Sequence, residues 1–460
     1  MLSDRALADF RAALGTDHVF DDPATRTLYA SDETPRQVEP EAVLFPTSHD
    51  EVAALVRIAC THRIALTPRA AGSSNVGGAL PAPRSAVVSF ECMRRVLEFD
   101  PDNRIIVVEP GVVTDDIDRV ARTAGLFYPP DPGSSAYCRI GGNLAMNAAG
   151  PRAVKYGVTR DYVLGLRAVT GDGREIRTGC RTTKGVTGYD LTRLLVGSGG
   201  TLALITEATL KLLPAPQAIA TLRVCFDSNR AALDAVGRIM RQAVVPCALE
   251  FMDRRAIDAI RPTGAAEHLP PETQALLMVE ADGAAQDLPR QIDALQDALA
   301  GPGLLDVQSG FDAASIARLW AARKSLSLAV KRIAPLKLNE DMVVPVSRLA
   351  DFVEFIDATA HTQRLPVVSF GHAGNGNLHV NLMVHPDDAD EMARAHVALA
   401  AMMQRVLALG GTLSGEHGIG TEKRHFVPHE IEPVTLDLMR AIKREFDPHG
   451  LLNPGKLLPD

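Results

Sequence analysis

Apolar positions along the chain change period in a way that separates helices from strands. The opening stretch MLSDRALADFRAAL reads as an amphipathic helix, and Ser48 with Glu51 predicts a capping box opening a second helix, whose Val52, Leu55, Val56 and Ala59 follow helical spacing. A short apolar strand at 64–67 runs into PRAAGSSNVGGAL. Residues 86–90 and 105–109 read as strands and 114–124 as a helix stopped by Gly125. An irregular Gly/Pro/Asn-rich stretch fills 128–157. Strand pairing resumes around Asp172-Gly173 and ends with an apolar run at 202–213, just before Pro214 and Pro216, where a domain boundary is expected. From there to about 420, strands (221–226, 275–280) alternate with amphipathic helices (288–299, 314–326), an α+β pattern.

With 460 residues, 46% apolar and 23% charged, the chain can bury large cores and is expected to form two or three domains. Its formal charge of -8 and lack of any Lys/Arg run argue against nucleic acid or an anionic membrane surface as the main partner. No apolar stretch reaches transmembrane length, so the expectation is a protein that is not integral to a membrane, with the cytoplasm as the default location. Six scattered cysteines without a CxxC indicate neither a disulfide framework nor an iron–sulfur cluster; buried free thiols are expected.

Two C-terminal segments carry chemistry that packing does not require: GHAGNGNLH at 371–379 and GEHGIG at 415–420. Asn375-Gly376 is the preferred pair for a two-residue type I′ hairpin turn. Counting back from it sets His379 opposite His372, with Cβ atoms about 4.5–5.5 Å apart, which suits two nitrogen ligands on one divalent ion. Asn381 shares that face.

Three glycine-rich loops lie upstream. PRAAGSSNVGGAL at 68–80 can present consecutive backbone N–H groups as an anion-binding nest, but it lacks the GxGxxG spacing of a Rossmann site. DPGSSAYCRIGGNLAMNAAG at 131–150 allows a planar ring close to the backbone, and GSGGTLALIT at 197–206 again joins glycines to a buried strand. One extended cofactor spanning all three is the simplest reading.

PRAAGSSNVGG, PPDPGS with IGGNLAMNAAG, KYGVTRDYVLGL, GSGGTLALITEATLKL, GHAGNGNLH, SGEHGIG and LLNPGK stand in the order seen in FAD-linked 2-hydroxy-acid dehydrogenases, which the chain resembles along nearly its whole length. That family includes D-lactate and D-2-hydroxyglutarate dehydrogenases and the flavin subunit of glycolate oxidase, with a flavin domain like that of vanillyl-alcohol oxidase. The resemblance implies an α+β fold. Its parts are an N-terminal helical segment (1–36), a two-subdomain FAD-binding domain of the PCMH type (37–216), an antiparallel-sheet cap domain (217–420) and a C-terminal return segment (421–460). It implies FAD, and because no motif assigns a covalent attachment residue, noncovalent FAD is expected. Arg69, Ala70, Ala71, Gly72, Ser73, Ser74 and Asn75 would bind the pyrophosphate. Pro132, Gly133, Ser134, Ile140, Gly141, Gly142, Asn143, Met146, Asn147 and Ala148 would line the flavin, with Tyr156, Gly157, Gly200, Ile205 and Asn453 completing the set. Three positions depart from the family pattern: Ala70 stands where glycine is common, Gly199 where glutamate is, and Asn375 where aspartate is.

The same resemblance assigns His372, His379 and Glu416 as ligands of zinc or manganese and His417 as general base. Arg323, in LWAARKSL, matches the carboxylate-binding arginine, and Lys337 and Asn381 are further substrate-binding candidates. The lone Trp320 reads as a core anchor for the Arg323 helix. The implied reaction oxidises a 2-hydroxy acid to the 2-oxo acid by hydride transfer to flavin. An external acceptor (quinone, cytochrome, electron-transfer flavoprotein or iron–sulfur protein) must then reoxidise the flavin. A metal hydrolase would leave the three loops without a purpose, and a noncatalytic flavin subunit would not need both histidine clusters. Substrate side chain, stereopreference and oligomeric state, a homodimer included, stay open.

Overall fold

The computed structural model describes residues 2–459. The chain forms two compact units, one comprising 1–150, 158–215 and 416–460 and the other 151–157 and 216–415. It crosses from the first to the second at Gly150–Pro151 and again at Ala215–Pro216.

The first unit holds two sheets. Its four-stranded sheet runs in the order Val19–Phe20, Ala42–Leu44, Ser85–Ser89, Ala65–Arg69, the last three mutually parallel. The helix His49–His62 covers it because Val52, Leu55, Val56 and Ala59 fall on one stripe; all four are fully buried with Phe10, Leu14, Leu66 and Val88. Each large aliphatic side chain there stabilises the fold by roughly 1.5–3 kcal/mol. Half of the expected capping box forms. Ser48 Oγ accepts the Glu51 N–H at 3.3 Å, but the Glu51 carboxylate takes the N–H of Thr47 at 2.6 Å in place of that of Ser48, gaining the Thr47 hydroxyl as well. The C-terminal stretch returns to this sheet: the Leu66 N–H donates to Leu451 O at 2.8 Å, and the Asn453 N–H to Leu66 O at 2.8 Å. The second sheet is antiparallel, ordered Val96–Asp100, Ile105–Val108, Ala203–Lys211, Val163–Thr170, Glu175–Gly179.

The second unit is built on one seven-stranded antiparallel sheet in the order Leu304–Gly310, Ala218–Phe226, Ala275–Gly283, Ala248–Asp253, Val367–Gly371, Asn377–Val384, Leu336–Val343. Helices Arg254–Ile260 and Ala313–Ala329 close over one face on a core of Cys225, Met252, Met278, Leu326, Val368 and Phe370. Helices Asn229–Ile239, Leu288–Leu299, Leu349–Gln363 and Ala389–Ala408 form a separate helical group on the sheet. Trp320 is an anchor of a mixed kind, packing on the core while its indole N–H donates to Glu280 Oε2 at 2.8 Å. The expectation of buried thiols holds for Cys138, Cys225 and Cys247; Cys92 and Cys180 are exposed, on a short turn and at a strand end where no core reaches them. Among the described residues no helix is long and apolar enough to cross a membrane.

Candidate functional site

The histidine hairpin forms, but not in the expected register. Strands Val367–Gly371 and Asn377–Val384 pair Phe370 with His379 and Val368 with Asn381. The reason lies in the turn. A type I′ turn needs positive φ at both central residues, and only Gly376 has it (φ 75°), whereas 373–375 form one 3₁₀ turn that lengthens the loop. A Cβ at Gly376 would lie 1.9 Å from Val344 O, so glycine is required there. His372 therefore sits at the mouth of the turn, beyond the strand pairing. Its ring still meets that of His379 edge to face, with centroids 5.2 Å apart.

Both histidines are buried, and a residue the sequence reading passed over holds one of them. Glu250, on the strand Ala248–Asp253, is fully buried; its Oε1 contacts His372 Nδ1 at 2.5 Å and its Oε2 accepts from Arg323 Nε at 2.9 Å. Burial pushes its carboxyl up, but the His372 and Arg323 charges beside it outweigh that and hold it at about 2. Arg323 lies on the helix Ala313–Ala329 with its guanidinium carbon 4.9 Å from the centre of the Phe370 ring. A carboxylate inside the apolar run ALEFM was the available signal, since a fully buried acid must be paired.

The sheet register gathers other candidates. Lys337, Asn339 and Asp341 stand opposite Met383, Asn381 and His379, so they share the face that carries both His379 and Phe370. Asn381 is fully buried; its Nδ2 donates to the carbonyls of Val368 and His379, and its Oδ1 finds no hydrogen-bond partner among the described residues. Asp341, also missed, accepts from Asn377 Nδ2 at 2.5 Å, Ser414 Oγ at 2.9 Å and the Gly415 N–H at 2.9 Å. Glu416 follows Gly415 directly, and His417 Nε2 lies 4.0 Å from Glu416 Oε1, both side chains mostly shielded from solvent.

In the first unit the glycine loops converge. The Gly197 and Gly199 N–H groups donate to Leu144 O and Ala145 O at 2.8 Å each, joining the 197–200 loop to the helix Ile140–Met146. Asn453 Nδ2 donates to Gly78 O at 3.1 Å and Gly199 O at 2.7 Å, so one amide ties two loops. Arg69 is directed inward, Nη1 donating to Ser31 O at 2.6 Å over the Tyr29 ring. The backbone N–H groups of 70–75 donate to nothing among the described residues. Ile140 and Asn143 face the core, Asn143 Nδ2 bonding Thr114 Oγ1 at 2.7 Å, while Asn147 takes the left-handed conformation (φ 53°) and accepts from the Arg160 N–H. Gly133 is exposed, Pro132 is buried, Ile205 precedes a bulge in its strand, and Met146 lies against Gly78. Gly200 has φ 68°, and a Cβ there would lie 2.6 Å from Pro68 Cγ. Tyr156 and Gly157 belong to the other unit, where Tyr156 Oη donates to Asp282 Oδ2 at 2.8 Å.

Residues 40–179 match the FAD binding domain family, and residues 215–457 match the FAD linked oxidases, C-terminal domain. The chain belongs to the FAD-linked oxidases. Among relatives of this family, the glycolate oxidase subunit GlcD of Bacillus subtilis is 38% identical over 96% of this chain and 94% of its own. A D-lactate dehydrogenase of Anaerostipes hadrus is 33% identical over 92% and 90%. Solved structures show the fold: p-cresol methylhydroxylase with substrate bound superposes with a TM-score of 0.81 at 17% identity, covering 98% of this chain and 96% of that one. 4-Ethylphenol oxidase from Gulosibacter chungangensis gives 0.79 at 18%, over 99% and 97%. The architecture is thus the PCMH, or vanillyl-alcohol oxidase, type of FAD-binding fold. The loops suit the cofactor of an FAD-linked oxidase. Six consecutive N–H groups, those of 70–75, have no partner among the described residues, and a pyrophosphate needs such donors. A Cβ at Gly142 would meet only Ala70, at 3.7 Å, and one at Gly133 would meet nothing within 4 Å.

Proposed function

We propose that this oxidoreductase converts a 2-hydroxy acid of the D-lactate, D-2-hydroxyglutarate or glycolate class to its 2-oxo acid, with noncovalent FAD and a zinc or manganese ion. The observation that carries the reading is the pairing of an imidazole cluster with an inward-facing arginine on one sheet face. When bound, FAD supplies the hydride acceptor and the divalent ion a Lewis acid that acidifies the substrate hydroxyl.

The chain's own groups then divide the work. The Arg323 guanidinium binds the substrate carboxylate. His372, His379 and Glu416 hold the ion. This assignment draws support from the chain itself, since Gly415 is fastened to Asp341, the register partner of His379, and Glu416 is the next residue. His417 takes the hydroxyl proton as the α-hydrogen leaves as hydride. Asn381, with its free amide oxygen, and Lys337 orient the substrate oxygens. Anaerobic mixing with a panel of D- and L-2-hydroxy acids tests the reading: at least one should bleach the flavin, and no bleaching by any member would sink it.

A second reading, a flavin subunit working within a larger oxidase, is favoured by the subunit names of the relatives. It predicts the same bleaching but turnover with an external acceptor only when partner proteins are added.

A further inference from the structure

We infer that Glu250 is a positioning residue that fixes a metal-facing imidazole and a carboxylate-facing guanidinium with one side chain. The inference rests on the functional reading above and concerns groups of the second unit only.

A fully buried carboxylate is strongly unfavourable unless both oxygens are used, and here each has a different client. With Oε1 on His372 Nδ1 at 2.5 Å, that nitrogen carries the proton, and in the neutral ring that a metal ligand must be, Nε2 is the nitrogen with the lone pair. With Oε2 on Arg323 Nε at 2.9 Å and the guanidinium carbon 4.9 Å from the centre of the Phe370 ring, the Nε side of the arginine is taken. What remains is the Nη1/Nη2 edge, the pair of parallel donors that binds a carboxylate bidentately. Phe370 in turn is the register partner of His379 and of Met252, two residues from Glu250 on its own strand, so the clamp closes on itself. The imidazole tautomer and the arginine edge are therefore not independent. A change at either should be felt at the other.

Glu250→Gln is the informative substitution because it keeps volume while spoiling the donor pattern. An amide nitrogen turned to His372 forces the proton onto Nε2; turned to Arg323, it sets donor against donor. The purified FAD-containing protein is titrated with Mn²⁺ in competition with a chromophoric chelator, without substrate, and its flavin is then reduced anaerobically by the best substrate of the panel. Glu250→Gln should keep its FAD and lose about 10–100-fold in Mn²⁺ affinity, as second-layer changes at metal sites do, with a raised substrate dissociation constant and a slower reduction rate. Arg323→Ala, which removes no ligand, should lower Mn²⁺ affinity about threefold or more, and the double variant should be less impaired than the product of the two single effects. Arg323→Ala also decides the matter if Glu250→Gln does not fold. Parental Mn²⁺ affinity in either variant overturns the inference. If the parental protein is reduced by no 2-hydroxy acid and His372→Ala leaves Mn²⁺ binding unchanged, the functional reading itself has failed, which is a separable result.

Discussion

In the function proposed, the first unit builds its site from backbone and the second from side chains. Around 70–75, 140–148 and 197–200 the groups proposed to meet the cofactor are amide N–H donors and bare glycine faces, held by Asn453 and by carbonyl partners. On the seven-stranded sheet the groups proposed to do the chemistry are side chains, Arg323, His372 and His379 with Glu250 between them, spaced by register and joined by ion pairs. A backbone site tolerates side-chain change so long as its glycines stay. A side-chain site survives backbone variation and fails on single substitutions. Substitutions should therefore separate the two: cofactor content should follow the first, and chemistry the second.

The largest effect is expected from His379→Ala, which should abolish substrate oxidation while leaving the absorption spectrum of bound FAD unchanged; loss of the flavin along with activity would break the division. His417→Ala should slow flavin reduction by about 10²–10⁴-fold with a smaller change in substrate affinity. Stopped-flow reduction under anaerobic conditions reads both, and a parental rate would move the base elsewhere. In the first unit, Gly200→Ala demands a positive φ of an L-residue and pushes a Cβ against Pro68. It should lower stability by about 1–3 kcal/mol and reduce FAD content, measured by thermal melting and by flavin released on acid precipitation.

The smallest effect concerns no chemistry at all. Asp253 is fully buried, and burial pushes its carboxyl up to about 7, against the N–H bonds from Ala256 and Ser369. A raised acid binds more protons folded than unfolded, so it withdraws stability as pH rises from near 3.8 to about 7, after which the loss is complete. Asp253→Asn can keep the bond from Ala256 but sets an amide nitrogen against the Ser369 N–H, a cost that does not vary with pH, so its stability relative to the parent should rise across that window, with activity unchanged. Denaturant melts at pH 5 and pH 8 (roughly the two ends of the window) check it. An equal difference at both would show the carboxyl to be ordinary.

The same division decided what could be read from residues alone. Backbone requirements leave a trace in residue type, so the amphipathic helices were legible from their spacing and caps, whereas the crossing of 151–157 into the second unit left no trace in residue type. The histidines were legible as a pair, but their register was not. Asn-Gly is a local signal, and the 3₁₀ turn at 373–375 won because Gly376 alone takes positive φ, packed against Val344. Glu250 and Asp341 were invisible because their value lies in partners 36 to 122 residues away, and no local pattern encodes such a pairing. Arg323 was singled out by motif, but its contacts with Glu250 and Phe370 could be seen only in three dimensions.

The hydrogen bonds from Asn453 to Gly78 and Gly199 also set a timetable. Synthesis runs from the N-terminus, so residues 216–415 emerge whole and can assemble their sheet while the glycine loops behind them still lack Asn453 and the Leu451–Leu66 link. Closing contacts across some 375 residues is slow as well as late. The nascent chain should therefore acquire its yellow colour only after the C-terminal segment has left the ribosome, and until then the glycine loops are the part of the molecule most in need of a chaperone.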